Sequence, residues 1–127
     1  MYVFYNNNPK GKKVGDCVIR SISAALGQPW EQTYTELCTY GYDMRDLPNS
    51  NPVWAAYLKD KGFKRYIIPD TCPDCYTIGQ FAEDNQSGVY IVATGSHVVC
   101  VSDGGKILDN WDSSGEIPTY FFKKERE

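Results

Sequence analysis

No stretch of this 127-residue chain approaches the roughly 18 consecutive apolar residues that span a bilayer. The opening Met1-Tyr2-Val3-Phe4-Tyr5 runs straight into asparagines without the apolar core of a signal peptide, so a cytoplasmic location is expected. A basic run is missing as well. The densest cluster, Lys10, Lys12 and Lys13, reads as a solvated turn, and the net charge is −3. Nucleic acid and membrane are therefore not expected partners. Internal repeats and low-complexity tracts are absent, and the length suits one domain over residues 1–127 with a real core but no second unit. Histidine occurs once, at His97.

A second paired set of cysteines is also lacking. The five cysteines are an odd number and read as reduced thiols. Cys38 and Cys100 lie in apolar patterns and are expected in the core. Cys72 and Cys75, in Cys72-Pro73-Asp74-Cys75, have the spacing of a redox dithiol or of half a zinc site. Zinc needs two further ligands, and a redox pair should open a helix after a strand in a βαβ unit; neither pattern is found. The pair is read as a proline-containing turn with two incidental thiols, and no cofactor or metal is expected.

What is present centres on Cys17. In Gly15-Asp16-Cys17-Val18-Ile19-Arg20-Ser21-Ile22-Ser23-Ala24-Ala25-Leu26-Gly27 the apolar residues recur at helical spacing, Asp16 can serve as N-cap, and Gly27 suits a left-handed stop. A thiol opening a helix feels the positive end of the dipole and unpaired amide N–H groups, both of which favour thiolate. Downstream come His97 and then Asp109, Asn110 and Asp112, a Cys…His…Asp/Asn order.

Around this core the pattern is helical first and extended later. Tyr2–Tyr5 is a candidate edge strand, and 6–11 a loop. Pro29 suits the first turn of a second helix with Trp30, Tyr34, Leu37 and Cys38 on one face. Thr39–Asn51 reads as an exposed connection. A third helix starts at Asn51-Pro52 and ends at Lys61-Gly62; Phe63–Ile68 is a short strand; Thr77 and Gln80 form a capping box for a short helix. Val89–Ala93, His97–Val101 and Lys106–Asp109 make an antiparallel meander, to which Pro118–Lys123 adds a strand. If Asp103-Gly104-Gly105 forms a three-residue turn, Ser102 pairs with Lys106, His97 lies opposite Trp111, and Asp109 shares its face one diagonal away. A two-residue turn instead brings Asn110 opposite His97 or Asp112 near it.

Asn8-Pro9, the G-D-C-x-I-R block at Gly15–Arg20, Trp30, Tyr34-Thr35-Glu36-Leu37, His97 and the D-x-W-D block at Asp109–Asp112 together resemble small, mostly uncharacterised bacterial and phage proteins similar to papain-like cysteine peptidases. The resemblance implies an α+β, papain-like cysteine peptidase fold in a bacterial or phage-infected cell. Its helical N-terminal half would carry the Cys17 helix at its centre, packed on a C-terminal antiparallel β-sheet. It also implies a catalytic Cys17–His97–Asp109 triad, with Asp109 preferred because it opens the D-x-W-D block and ends its strand; Asn110 and Asp112 are the alternatives. Papain-like enzymes place an amide side chain ahead of the nucleophile, which makes Asn8 the oxyanion candidate; an ordinary turn-forming asparagine is the competing reading. The function implied is a cysteine hydrolase that acts on a peptide or protein substrate, at a peptide, isopeptide or related amide bond, through a thioester acyl-enzyme. Glutamine deamidation or acyl transfer at the same site, an inactive papain-like binding module, and a thiol oxidoreductase using Cys72 and Cys75 are the alternatives.

Overall fold

The computed structural model describes residues 1–70 and 74–125, and among these the chain is an α+β fold of four helices and one six-stranded mixed sheet. In chain order the elements are β1 (Tyr2–Phe4), α1 (Cys17–Leu26), α2 (Trp30–Met44), α3 (Asn51–Asp60), β2 (Phe63–Ile67), α4 (Ile78–Asp84), β3 (Tyr90–Ala93), β4 (Val98–Ser102), β5 (Lys106–Asp109) and β6 (Tyr120–Lys124). The strands are ordered β1-β5-β4-β3-β6-β2. The expected meander forms its centre. Ser102 pairs with Lys106 across the Asp103-Gly104-Gly105 turn, the three-residue register.

The sheet is neither confined to the C-terminal half nor wholly antiparallel, as the sequence reading had it. β1 joins parallel to β5, with Phe4 beside Asp109, and β2 joins antiparallel to β6 at the opposite edge. Pairing a three-residue N-terminal strand with the far end of the chain is a long-range choice that local pattern does not encode.

Both faces of the sheet are covered. On one, Val18 and Ile22 of α1, Leu37 of α2 and Trp54, Tyr57 and Leu58 of α3 pack with Ile91, Ala93, Val98, Cys100 and Phe122. On the other, Ile78, Phe81 and Ala82 of α4 pack with Tyr90, Val92, Val99, Val101 and Ile107. Two-sided cover explains why Tyr90–Ala93 and Val98–Val101 are apolar without alternation and buried throughout. No helix of the described residues is long and apolar enough to cross a membrane.

The local stops act largely as the sequence implies. Gly27 ends α1 at φ 64°, ψ 37°, and its amide donates to the Ser23 carbonyl. Thr77 and Gln80 form the reciprocal capping box of α4. The exception is α2. It runs to Met44, well into the expected Thr39–Asn51 connection, and closes on Arg45 in the left-handed region. Cys100 is fully buried, whereas Cys38 is only half-buried rather than a core residue.

One glycine locks α4 to the sheet. Gly105 in the β4–β5 turn sits at φ +68°, and a Cβ there would lie 2.6 Å from the Ala82 carbonyl oxygen. Gly105→Ala therefore combines left-handed strain with a backbone clash and should destabilise the protein by about 1–3 kcal/mol in urea unfolding. A change below about 0.5 kcal/mol, the range of an inert surface substitution, would show that α4 is not held there.

Candidate active site

The site forms where the N-terminus of α1 meets the ends of β4 and β5. Cys17 is the first residue of α1, His97 immediately precedes β4, and Asp109 ends β5. His97 Nε2 lies 2.6 Å from Asp109 Oδ2. Cys17 and His97 border the same cleft and act on each other's titration, and with Nε2 committed to Asp109 the ring nitrogen left to face the thiol is Nδ1. The structure thus brings Cys17, His97 and Asp109 into one chain of contacts.

Asp109 is held from every side. Its carboxylate is fully buried and accepts hydrogen bonds from Ser113 Oγ at 2.7 Å, the Asn110 amide at 2.8 Å and Arg20 Nη2 at 2.9 Å. Arg20, one turn after Cys17 and 3 % exposed, also pairs through Nη1 with Asp16. Asp16 Oδ2 in turn accepts the Trp30 indole N–H at 2.9 Å. A buried guanidinium is costly unless paired, and here two carboxylates pair it.

That network changes what Asp16 does. It occupies the N-cap position of α1 but makes no side-chain cap hydrogen bond, because its oxygens are taken by Arg20 and Trp30. The Arg20 amide already donates to the Asp16 carbonyl; the earlier amides of the helix, from Cys17 to Ile19, have no acceptor within it and are left for an anion at the helix mouth.

All three members of the Cys17–His97–Asp109 chain titrate away from their ordinary values. Burial pushes the Cys17 thiol up, but the His97 hydrogen bond, the Val98 amide and the charges of His97 and Arg20 outweigh it, and the thiol is held below its usual value. Burial likewise works against His97 protonation, yet the hydrogen bonds to Asp109 and Cys17 and their charges raise its pKa to about 9. Burial disfavours the Asp109 carboxylate too; the bonds from His97 and Ser113, the His97 charge and the Asn110 amide still hold its pKa below the ordinary value. Fully buried Cys100, with no such partner, is pushed up to about 12 by desolvation.

The other candidates do not place a side chain in the Cys17–His97–Asp109 chain. Asn8 Oδ1 accepts the Lys10 amide at 2.9 Å and its carbonyl accepts the Gly11 amide at 2.9 Å, a turn-forming role. Asp112 is exposed and accepts the Ser114 amide at 3.1 Å. Asn110, 7 % exposed, lines the cleft beside His97. Cys72 lies outside the described residues. Trp111 packs on the histidine at a centroid distance of 4.8 Å and a tilt of 44°, with 41 % of its surface left open. Cys17, Arg20, His97, Asn110 and Trp111 border one cleft of about 580 Å³.

Arg20, Ser113 and Trp30 escaped assignment from sequence. A signal existed for the first: an arginine among Val18, Ile19 and Ile22 on a buried helix needs a carboxylate partner, and Asp16 lies four residues before it. Compared with protein-family models, curated proteins and solved structures, the chain matches none of them.

Removing one partner of this buried network leaves the others uncompensated. Asp109→Asn should cost about 3 kcal/mol or more in urea unfolding at pH 7, against under about 0.5 kcal/mol for Asp112→Asn. Equal costs would mean Asp109 is not the anchor.

The linked protons of Cys17 and His97 oppose each other. His97, at about 9 folded against 6.5 ordinarily, contributes stability that is complete below pH 6.5 and is lost as pH rises through 9. Cys17, lowered from 9.0, contributes stability that is complete above pH 9.0 and is lost as pH falls through its folded value. Between the folded Cys17 value and pH 9 the two slopes oppose each other, so the wild type should lose less stability with rising pH there than Cys17→Ala, which keeps the part of the His97 contribution that Asp109 supplies. Parallel profiles in chemical denaturation would contradict the coupling.

Proposed function

We propose that the protein is a cysteine hydrolase of papain-like type that cleaves a peptide, isopeptide or related amide bond through an acyl-enzyme on Cys17. The observation that carries this reading is His97, set between the Cys17 thiol with which it shares a cleft and a buried, Arg20-anchored carboxylate 2.6 Å from its Nε2. With His97 raised to about 9 the imidazole keeps its proton near neutrality, and the same pairing lowers Cys17 from its ordinary value and so favours the thiolate. The G-D-C-x-I-R and D-x-W-D blocks, which resemble those of small bacterial and phage proteins similar to papain-like peptidases, fall on this same cluster.

In the proposed cycle the Cys17 thiolate attacks the carbonyl carbon of the amide, forming an S–C bond and moving the carbonyl π electrons onto oxygen. The uncapped amides at the start of α1 take that oxyanion. Asn8, whose Oδ1 accepts the Lys10 amide in its own turn and which does not border the cleft, is assigned no step in this cycle. The imidazolium of His97 gives its proton to the amide nitrogen as the C–N bond breaks and the amine leaves. A water then loses a proton to neutral His97 and attacks the thioester; the acid departs, and the thiolate–imidazolium pair is restored. Asp109 keeps the ring oriented and stabilises its charged form.

Iodoacetamide at pH 6 tests the activated thiol, and peptide turnover tests the reaction. Cys17 should alkylate first among the cysteines, located by mass spectrometry. His97→Ala should slow this at pH 6 by about tenfold or more while changing labelling at pH 9 little, since removing the cationic partner raises the thiol pKa. A proteome-derived peptide mixture should gain new termini with wild type and not with Cys17→Ala. Selective labelling without new termini would favour the binding module, and mass gains of one unit or amine adducts would favour deamidation or transfer. Labelling led by another cysteine would remove the physical basis of the hydrolase.

A further inference from the structure

Cys17 borders two cavities. The first is the cleft it shares with His97, Asn110 and Trp111; the second, of about 360 Å³, lies between α1 and α2 and is bordered by Ile19, Trp30, Tyr34 and Pro48. Val14, Gly15, Cys17, Val18 and Asn49 belong to both, so the two adjoin as two halves of one groove bordered by Cys17.

The chemistry assigns the two halves. In acyl transfer the leaving amine must reach the proton on His97, so it occupies the half of the groove that contains the histidine. The acyl portion, joined to the carbonyl on the other side, extends the opposite way, over Trp30 and Tyr34. The two halves differ in character. The histidine half presents Lys13, Thr94, Ser96 and Asn110 as well as the Trp111 ring. The other half is mainly apolar. The Trp30 and Tyr34 rings stack at 5.1 Å with 23° between planes, and Tyr34 and Val14 remain 46 % and 48 % exposed. Asp16 is the one acidic residue in its lining, and its carboxylate is neutralised by Arg20 and bonded to the Trp30 indole. No free charge is left in that half to hold a charged side chain.

We propose that this second cavity is the subsite for an aliphatic or aromatic side chain in the acyl portion of the substrate, so that the enzyme selects cleavage on the carboxyl side of apolar residues. The assignment rests on the acyl-transfer reading of the Cys17–His97 pair. Continuity with the cleft supplies its occupant: a chain whose carbonyl is held at the α1 mouth and whose amine faces His97 has its acyl residues in contact with the Trp30–Tyr34 stack. Burial of an apolar side chain there removes ring and methyl surface from water on both partners.

Acetyl-dipeptide chloromethyl ketones probe the acyl side alone, because the Cys17 thiolate displaces chloride and no leaving amine is needed. The Leu-Leu reagent should inactivate wild type about tenfold or more faster than the Gly-Gly or Asp-Asp reagent, the discrimination an apolar pocket supplies. Each variant is read as its own Leu-Leu to Gly-Gly rate ratio, which cancels any change in thiol reactivity. Tyr34→Ala should cut that ratio severalfold, and Val14→Glu, a loop substitution that places a carboxylate in the cavity, should bring Lys-Lys ahead of Leu-Leu. A wild-type ratio near one, with Cys17 still the selectively labelled thiol toward iodoacetamide at pH 6, would overturn the subsite and leave the hydrolase reading standing. A high ratio unchanged in both variants would place selection elsewhere and overturn it too. Failure of selective Cys17 labelling would remove the reading beneath it, and the subsite with it.

Discussion

The buried carboxylate of Asp109 is the constraint on which the rest of the structure depends. An ionised carboxylate without solvent is unfavourable by several kcal/mol unless its lone pairs are filled. Here they are filled by Arg20 from α1, His97 from the start of β4, and Ser113 and the Asn110 amide from the loop after β5. Its own carbonyl accepts the Tyr5 amide at 2.7 Å and so ties the N-terminal strand to the same point. Four separate segments of chain are thereby fixed within hydrogen-bonding reach of one residue. The cluster that positions the imidazole is also a joint of the fold.

Arg20 gives that joint its electrostatic balance. One guanidinium between Asp16 and Asp109 pairs with both carboxylates next to the thiol and offsets one of their two negative charges, and a protonated His97 offsets the other. Without the guanidinium, their negative charge would oppose thiolate formation. The second consequence concerns hydrogen bonding. Asp16 stands where a capping side chain normally closes a helix N-terminus, but Arg20 and Trp30 hold its oxygens, and the first amides of α1 stay available. The helix gives up a conventional cap, worth roughly 1 kcal/mol, at the place where an oxyanion would be received.

The two-faced sheet makes such a site sustainable. β3 and β4 are apolar on both sides because α1–α3 cover one face and α4 the other, so the strand that follows His97 is rigidly embedded. Only the strand ends reach the cleft. There the chain leaves the ladder, and polar groups of successive loops gather around the α1 terminus. Trp111 lies over the histidine with much of its surface open, giving the pair partial cover from water.

Much of this was legible in sequence where the signal is local. The helical spacing after Cys17 with Gly27 as its stop, the Thr77–Gln80 box, the Pro52 start of α3, the strand runs and the three-residue β4–β5 turn are all statements about neighbouring residues, and turn length alone set the register that relates His97 to Asp109. Other features depend on partners far along the chain. The parallel pairing of β1 with β5, the attachment of β2 to β6 and the length of α2 past Cys38 are decided by which edges and faces remain to be covered once the domain closes. The same is true of Asn8, whose amide serves its own turn, and of Asp16, whose capping propensity yields to a buried arginine. Sequence by itself determined which residues were competent for thiol chemistry and on which elements they ride, because residue type, helix start and strand period are local properties. Only the tertiary structure decided that Arg20, Ser113 and Trp30 complete the network and that a second cavity toward Tyr34 adjoins the cleft at Cys17, because charge pairing and cavity shape arise when segments distant in sequence share one desolvated space.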